Sequence, residues 1–132
     1  MFCSRRKFLT ATTVGAFALA LPAYASRIGE PAMYGLIGKM KAVPGQRDAL
    51  ISILLEGVSA MPGCLSYVVA KDPADADAIW VTEVWDSQTS HKSSLSLPSV
   101  KDAISRGKPL IASFDEYIET VPVGGHGIRA AA

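Results

Sequence analysis

The stretch Ala78-Ile79-Trp80-Val81-Thr82-Glu83-Val84-Trp85 decides the fold. Its β-branched and aromatic residues suit a strand. Side chains alternate across a strand, so Ile79, Val81, Glu83 and Trp85 share one face and Trp80, Thr82 and Val84 the other. Each set contains a tryptophan and a β-branched residue, so neither reads as a solvent face. In a chain this short, helices can cover only one side. The other side needs a partner, most simply a second copy in a two-fold dimer, and Trp80 is assigned to that interface.

On the C-terminal side, Asp86 or Ser87 is suited to cap a helix, because a short side-chain oxygen satisfies a free amide at the helix start. That helix is expected to pass through His91 and Leu95, break at Leu97-Pro98 and resume from Ser99 to Ser105. Gly107-Lys108-Pro109 is a further break, and Phe114 to Val121 alternates as a last strand. On the N-terminal side, Asp72 to Asp77 is a turn and Cys64 to Lys71 a strand. Leu50, Ile51, Leu54, Leu55 and Val58 recur at helical spacing between Arg47 and Ala60, and Met61-Pro62-Gly63 ends that helix. Val43-Pro44-Gly45-Gln46 separates it from a first strand at Met33 to Lys41. The order is βαββαβ. Its economical assembly is an α+β domain with a four-stranded antiparallel sheet and both helices on one face. Residues 33–122 form this domain, 26–32 a linker, and 123–132 a flexible tail holding Gly124-Gly125-His126-Gly127.

The whole chain has 132 residues, 49% of them hydrophobic and 19% charged, with a formal net charge of +1. That is the composition of one globular domain, and it excludes a strongly basic nucleic-acid binder. Phosphate-loop, dinucleotide-binding and HExxH zinc motifs are absent from the sequence, as is any CxxC pair. The first residues, MFCSRRKFL, carry Arg5, Arg6 and Lys7 and no acid. An apolar run from Ala11 to Leu21, Pro22 and Ala23-Tyr24-Ala25 follow, which together make a secretory signal over residues 1–25, cleaved after Ala25. The run is too short to span a bilayer, which takes about 20 residues, so no membrane span is expected after cleavage. SRRKFL resembles a twin-arginine signal, which implies export of the folded protein by the twin-arginine translocation machinery into the periplasm. The signal holds three of the 13 basic residues and none of the 12 acidic ones, leaving the remainder at −2. Cys64 is then the lone cysteine. It cannot form an internal disulfide and reads as a small core residue.

The segments MYGLIGKMKAVPGQRDAL, MPGCLSYVVAKDPAD, WVTEVWDSQTSHKSSLSLPSV and PVGGHG resemble the antibiotic biosynthesis monooxygenase family, with its bacterial quinol monooxygenases as the nearest branch. The likeness runs from about Met33 to Gly127. Its most specific elements are Glu83-x-Trp85 with His91 six residues on, and the turn Pro44-Gly45-x-Arg47. The resemblance implies a ferredoxin-like fold, a dimeric α+β barrel, and oxygenation of hydroquinone-like aromatics by O2 without metal or flavin. The family also contains heme degraders, which place an asparagine on the first strand. This chain has no asparagine at all, which weakens that reading.

Chemistry without a cofactor asks the substrate to supply the electron that triplet oxygen needs, and a deprotonated hydroquinone does so. The protein must offer a base near the phenolic proton, an apolar pocket and donors for the anion. His91 is the candidate base, since imidazole titrates near neutral pH. Trp85 is a candidate flat wall and N–H donor, and Glu83 a group that orients His91 or accepts a proton. Tyr67, Leu95 and Tyr34 are the remaining residues expected against the substrate. Each has a plainer alternative. His91 as a helix cap, Trp85 as core, and Glu83 as the ion-pair partner of Arg47 or of a dimer contact all stand beside the catalytic reading. Two other functions compete with a periplasmic quinol monooxygenase: a non-catalytic binder of a quinone or aromatic molecule, and a heme-handling relative. Export of a folded protein often accompanies a bound cofactor, which favours the last, although rapid folding of a small domain before translocation accounts for export equally well.

Overall fold

The computed structural model describes residues 32–128. The expected signal at 1–25, the linker up to Pro31 and the last four residues of the tail lie outside the described residues. The chain forms β1 (Tyr34–Ala42), α1 (Arg47–Gly57), β2 (Cys64–Lys71), β3 (Ala78–Trp85), α2 (Gln88–Ser94), α3 (Pro98–Gly107), a 3-10 turn (Lys108–Leu110) and β4 (Ile111–Thr120). The sheet is antiparallel with strand order β2-β3-β1-β4. This is the ferredoxin-like α+β arrangement, with the second helix in two pieces.

Local chemistry explains the boundaries. Ser87 caps α2, its Oγ accepting from the Ser90 N–H at 3.1 Å. Pro98 starts α3 at its first turn, where the missing N–H costs nothing. The expected helix from Arg47 stops at Gly57 and not at Ala60. Gly57 is where α1 crosses α3, and a Cβ there would stand 2.9 Å from the Cβ of Ala103. Gly63 takes φ +83° and is packed by Ser90, joining the start of β2 to the start of α2. β4 begins three residues before the expected Phe114, because Ile111 pairs with Ala42 and register shifts along β1 absorb the extra residues.

The Pro44-Gly45-x-Arg47 turn is tied to the β2–β3 turn. The Arg47 Nη1 donates to the carbonyls of Asp75 (2.9 Å) and Asp72 (3.3 Å), and the Gly45 N–H donates to Asp77. Arg47 is therefore spent on backbone carbonyls, which removes the alternative of a Glu83–Arg47 ion pair. One core cluster joins Ala42, Leu50, Ile79 and Val81; a second joins Tyr34, Leu36 and Trp85. The helix-covered face of β3 is thus the Ile79, Val81, Glu83, Trp85 set. On the opposite face the Trp80 indole N–H donates to Asp72 at 3.0 Å, and Lys39 lies 5.1 Å from its ring centroid and 3.1 Å from Asp72. Hydrogen bonds from the Ala74 N–H, Trp80 and Lys39 pull the Asp72 carboxyl down to about 2. Val68 and Ile118 are exposed on that same face, 52% and 45%. Among the described residues no helix is long and apolar enough to cross a membrane.

Candidate functional site

A cavity of about 630 Å³ lies between the helices and the covered face of the sheet. Its wall is largely apolar, with Met40, Leu50 and Leu54 beside Val100 and Ile104 of α3. Besides Ser94, Lys108 and Ser113, its polar residues are Tyr67, Glu83 and His91, which line it together with Trp85 beside them. Strand geometry brings them together. Tyr67 of β2 pairs directly with Glu83 of β3, so their side chains leave the sheet on the same face. α2 starts immediately after β3 and folds back over it, which sets His91 above the end of the strand.

The arrangement centres on Glu83. Its Oε2 accepts from the Trp85 indole N–H at 2.8 Å and lies 3.8 Å from His91 Nε2. Glu83 and His91 are both largely shielded, 12% and 15% exposed. Burial raises the Glu83 carboxyl above its usual range, while the Trp85 hydrogen bond and the charge of His91 oppose that rise. Burial, and then the charges of Glu83 and Cys64, push the Tyr67 hydroxyl up, so it stays a proton donor at neutral pH. Burial and the Glu83 charge likewise raise the Cys64 thiol, which suits an inert core cysteine.

Five of the six expected site residues line the cavity: His91, Glu83, Trp85, Tyr67 and Leu95. Their roles differ from expectation in two respects. The Trp85 N–H holds Glu83 and is not free for a substrate, because a buried donor takes the nearest carboxylate. Tyr34, expected against the substrate, does not line this cavity. It lies behind His91 with ring centroids 5.1 Å apart, and its hydroxyl donates to Glu119 of β4 at 2.7 Å. Tyr34 opens β1, and its hydroxyl reaches across to the edge strand β4. Sequence reasoning missed Ser94. It is buried, lines the cavity and donates from Oγ to the His91 carbonyl at 2.6 Å. Its position three residues after His91 on a helix was the available signal. Among the described residues, no group of three or more His, Cys, Asp or Glu is gathered to hold a metal.

A family model described as antibiotic biosynthesis monooxygenase matches residues 33–106. A solved structure from Chloroflexus aurantiacus, provisionally described as such a monooxygenase, is 76% identical, with 74% of this chain matched to 100% of that one at TM-score 0.73. A similarly described Caulobacter crescentus structure is 18% identical over 76% of this chain and 99% of its own, at TM-score 0.66. One from Nitrosomonas europaea is 9% identical over 71% and 93%, again at 0.66. The last two speak for the fold alone. No curated protein matches the chain.

Proposed function

The chain belongs to the antibiotic biosynthesis monooxygenase family, and we propose that it oxygenates a hydroquinone-like aromatic with O2 in the cavity between sheet and helices, with His91 as base. The observation that carries this reading is the pairing of His91 with Glu83 at the wall of a largely apolar cavity.

Each group has a task. His91 Nε2 takes the phenolic proton, and Glu83, 3.8 Å away, balances the imidazolium that forms. The Trp85 N–H fixes the Glu83 carboxylate. The Tyr67 hydroxyl, kept protonated, donates to the phenolate or to a peroxide formed on the ring. The anion gives an electron to O2, and the resulting radicals combine at a ring carbon. Loss of water then leaves a hydroxyquinone, so hydroquinone plus O2 yields hydroxyquinone plus H2O. The substrate supplies all the electrons, and one oxygen atom enters the ring.

The reading extends to assembly and place. The sheet face carrying Val68, Val84 and Ile118 meets a second copy, and the twin-arginine signal delivers the folded domain to the periplasm. The test of function is oxygen uptake with a panel of mono- and bicyclic hydroquinones. We expect substrate-dependent uptake that falls about 10²- to 10⁴-fold in His91→Ala, the usual range for loss of a general base. Binding of quinols without uptake would replace this reading with that of a non-catalytic binder.

A further inference from the structure

The imidazole of His91 has its polar neighbour, Glu83, on the cavity side and aromatic rings elsewhere. Trp85 meets it in an edge-on arrangement, ring centroids 5.4 Å apart at 72°. Tyr34 meets it at 5.1 Å and 38°. Trp85 is fixed by its bond to Glu83 and by burial to 1% exposure. Tyr34 is 8% exposed, and its polar anchor is a different one: its hydroxyl donates to Glu119, on the edge strand β4.

We propose that Tyr34 and Glu119 form a positioning pair that fixes the His91 ring against Glu83 from outside the cavity. Neither residue touches the cavity, so neither is a catalytic residue. The 3.8 Å contact of the imidazole with Glu83 is longer than a hydrogen bond and too weak to define the ring orientation. Two flanking rings do define it, by excluding other χ2 settings. The Tyr34 ring is itself aimed by its 2.7 Å bond to Glu119, a charge-assisted contact between β1 and β4. Glu119 lies two strands from Glu83, across β1 through Leu36. The edge strand thereby contributes to the geometry of a base on a helix it does not carry. Both residues also line a small cleft of about 240 Å³ together with Gln88, Thr120 and Val121.

The inference deepens the reading of His91 as base, but its test needs no turnover. The chain has two histidines, so imidazole NMR signals of residues 26–132 are assigned with a His126→Gln background. The match to the 76% identical Chloroflexus chain covers that whole chain, and circular dichroism of the fragment first verifies its α+β fold. We expect the His91 ring protons to carry ring-current displacements that Tyr34→Leu largely abolishes. Tyr34→Phe and Glu119→Leu should broaden or shift them at unchanged melting temperature. Glu119→Gln, whose amide oxygen still accepts from Tyr34, should restore the wild-type signals. Should Tyr34→Leu fail to fold, the two milder variants decide the matter. Wild-type His91 signals in both Tyr34→Phe and Glu119→Leu would overturn the pair. Loss of oxygen uptake with the NMR signature intact would instead count against the function.

Discussion

At the scale of single residues, Glu83 is the most informative side chain. A carboxylate in an apolar strand had to be paired, and the sequence left Arg47, a dimer contact and His91 as partners. The structure pairs it with Trp85 and His91. The choice was not legible beforehand, because it depends on α2 folding back over β3 and on Arg47 being spent on carbonyls of the β2–β3 turn. Tyr34 failed to be legible for a related reason. Alternation gives its sheet face, but not its depth along that face. A pH consequence follows for Glu83. Its carboxyl is raised by burial, so ionisation is costlier in the folded state than in the unfolded chain. The stability it contributes is therefore largest at low pH and is lost as pH climbs through the carboxylate range. Glu83→Gln, which keeps an acceptor for Trp85, should match wild type in melting temperature near pH 4. Above that it should exceed wild type by a gap that opens as pH climbs through the carboxylate range and then levels off. A constant gap, or a variant less stable at pH 8, would refute the argument.

At the scale of elements, most of the fold was readable. β2 and β3 run from Cys64 to Lys71 and from Ala78 to Trp85, as their composition indicates, while the helix break falls over Leu95–Leu97, ahead of the expected Leu97-Pro98, with Pro98 already opening α3. The misplaced ends share one cause: they are set by contacts distant in sequence. β4 starts at Ile111 because Ala42 is there to pair with it, although Ala112 and Ser113 have little strand propensity. α1 closes at Gly57 because α3 passes within a methyl group's reach. That crossing yields a direct test. Gly57→Leu forces side-chain atoms into Ala103 and the cavity wall, and overpacking of this kind costs about 1–3 kcal/mol. Thermal denaturation should show a lowered midpoint, partly recovered by adding Ala103→Gly. An unchanged midpoint would mean that α1 and α3 slide apart freely.

At the scale of the whole molecule, one sheet face is roofed by helices and holds the cavity, while the other presents Val68, Val84 and Ile118 beside a Trp80 tied down by Asp72 and Lys39. If that second face meets another copy, Val68→Glu should convert a dimer into a monomer in sedimentation at micromolar concentration and leave the secondary structure intact. A wild-type monomer would remove the dimer from the account. The central claim concerns the cavity: a hydroquinone held against His91 and Glu83 receives one atom of O2. The most direct measurement is mass spectrometry of the product formed under ¹⁸O2. The account predicts one heavy oxygen in a hydroxyquinone, formed by wild type and nearly lost in His91→Ala. Product carrying no heavy oxygen, or heavy product formed equally well without His91, would contradict it.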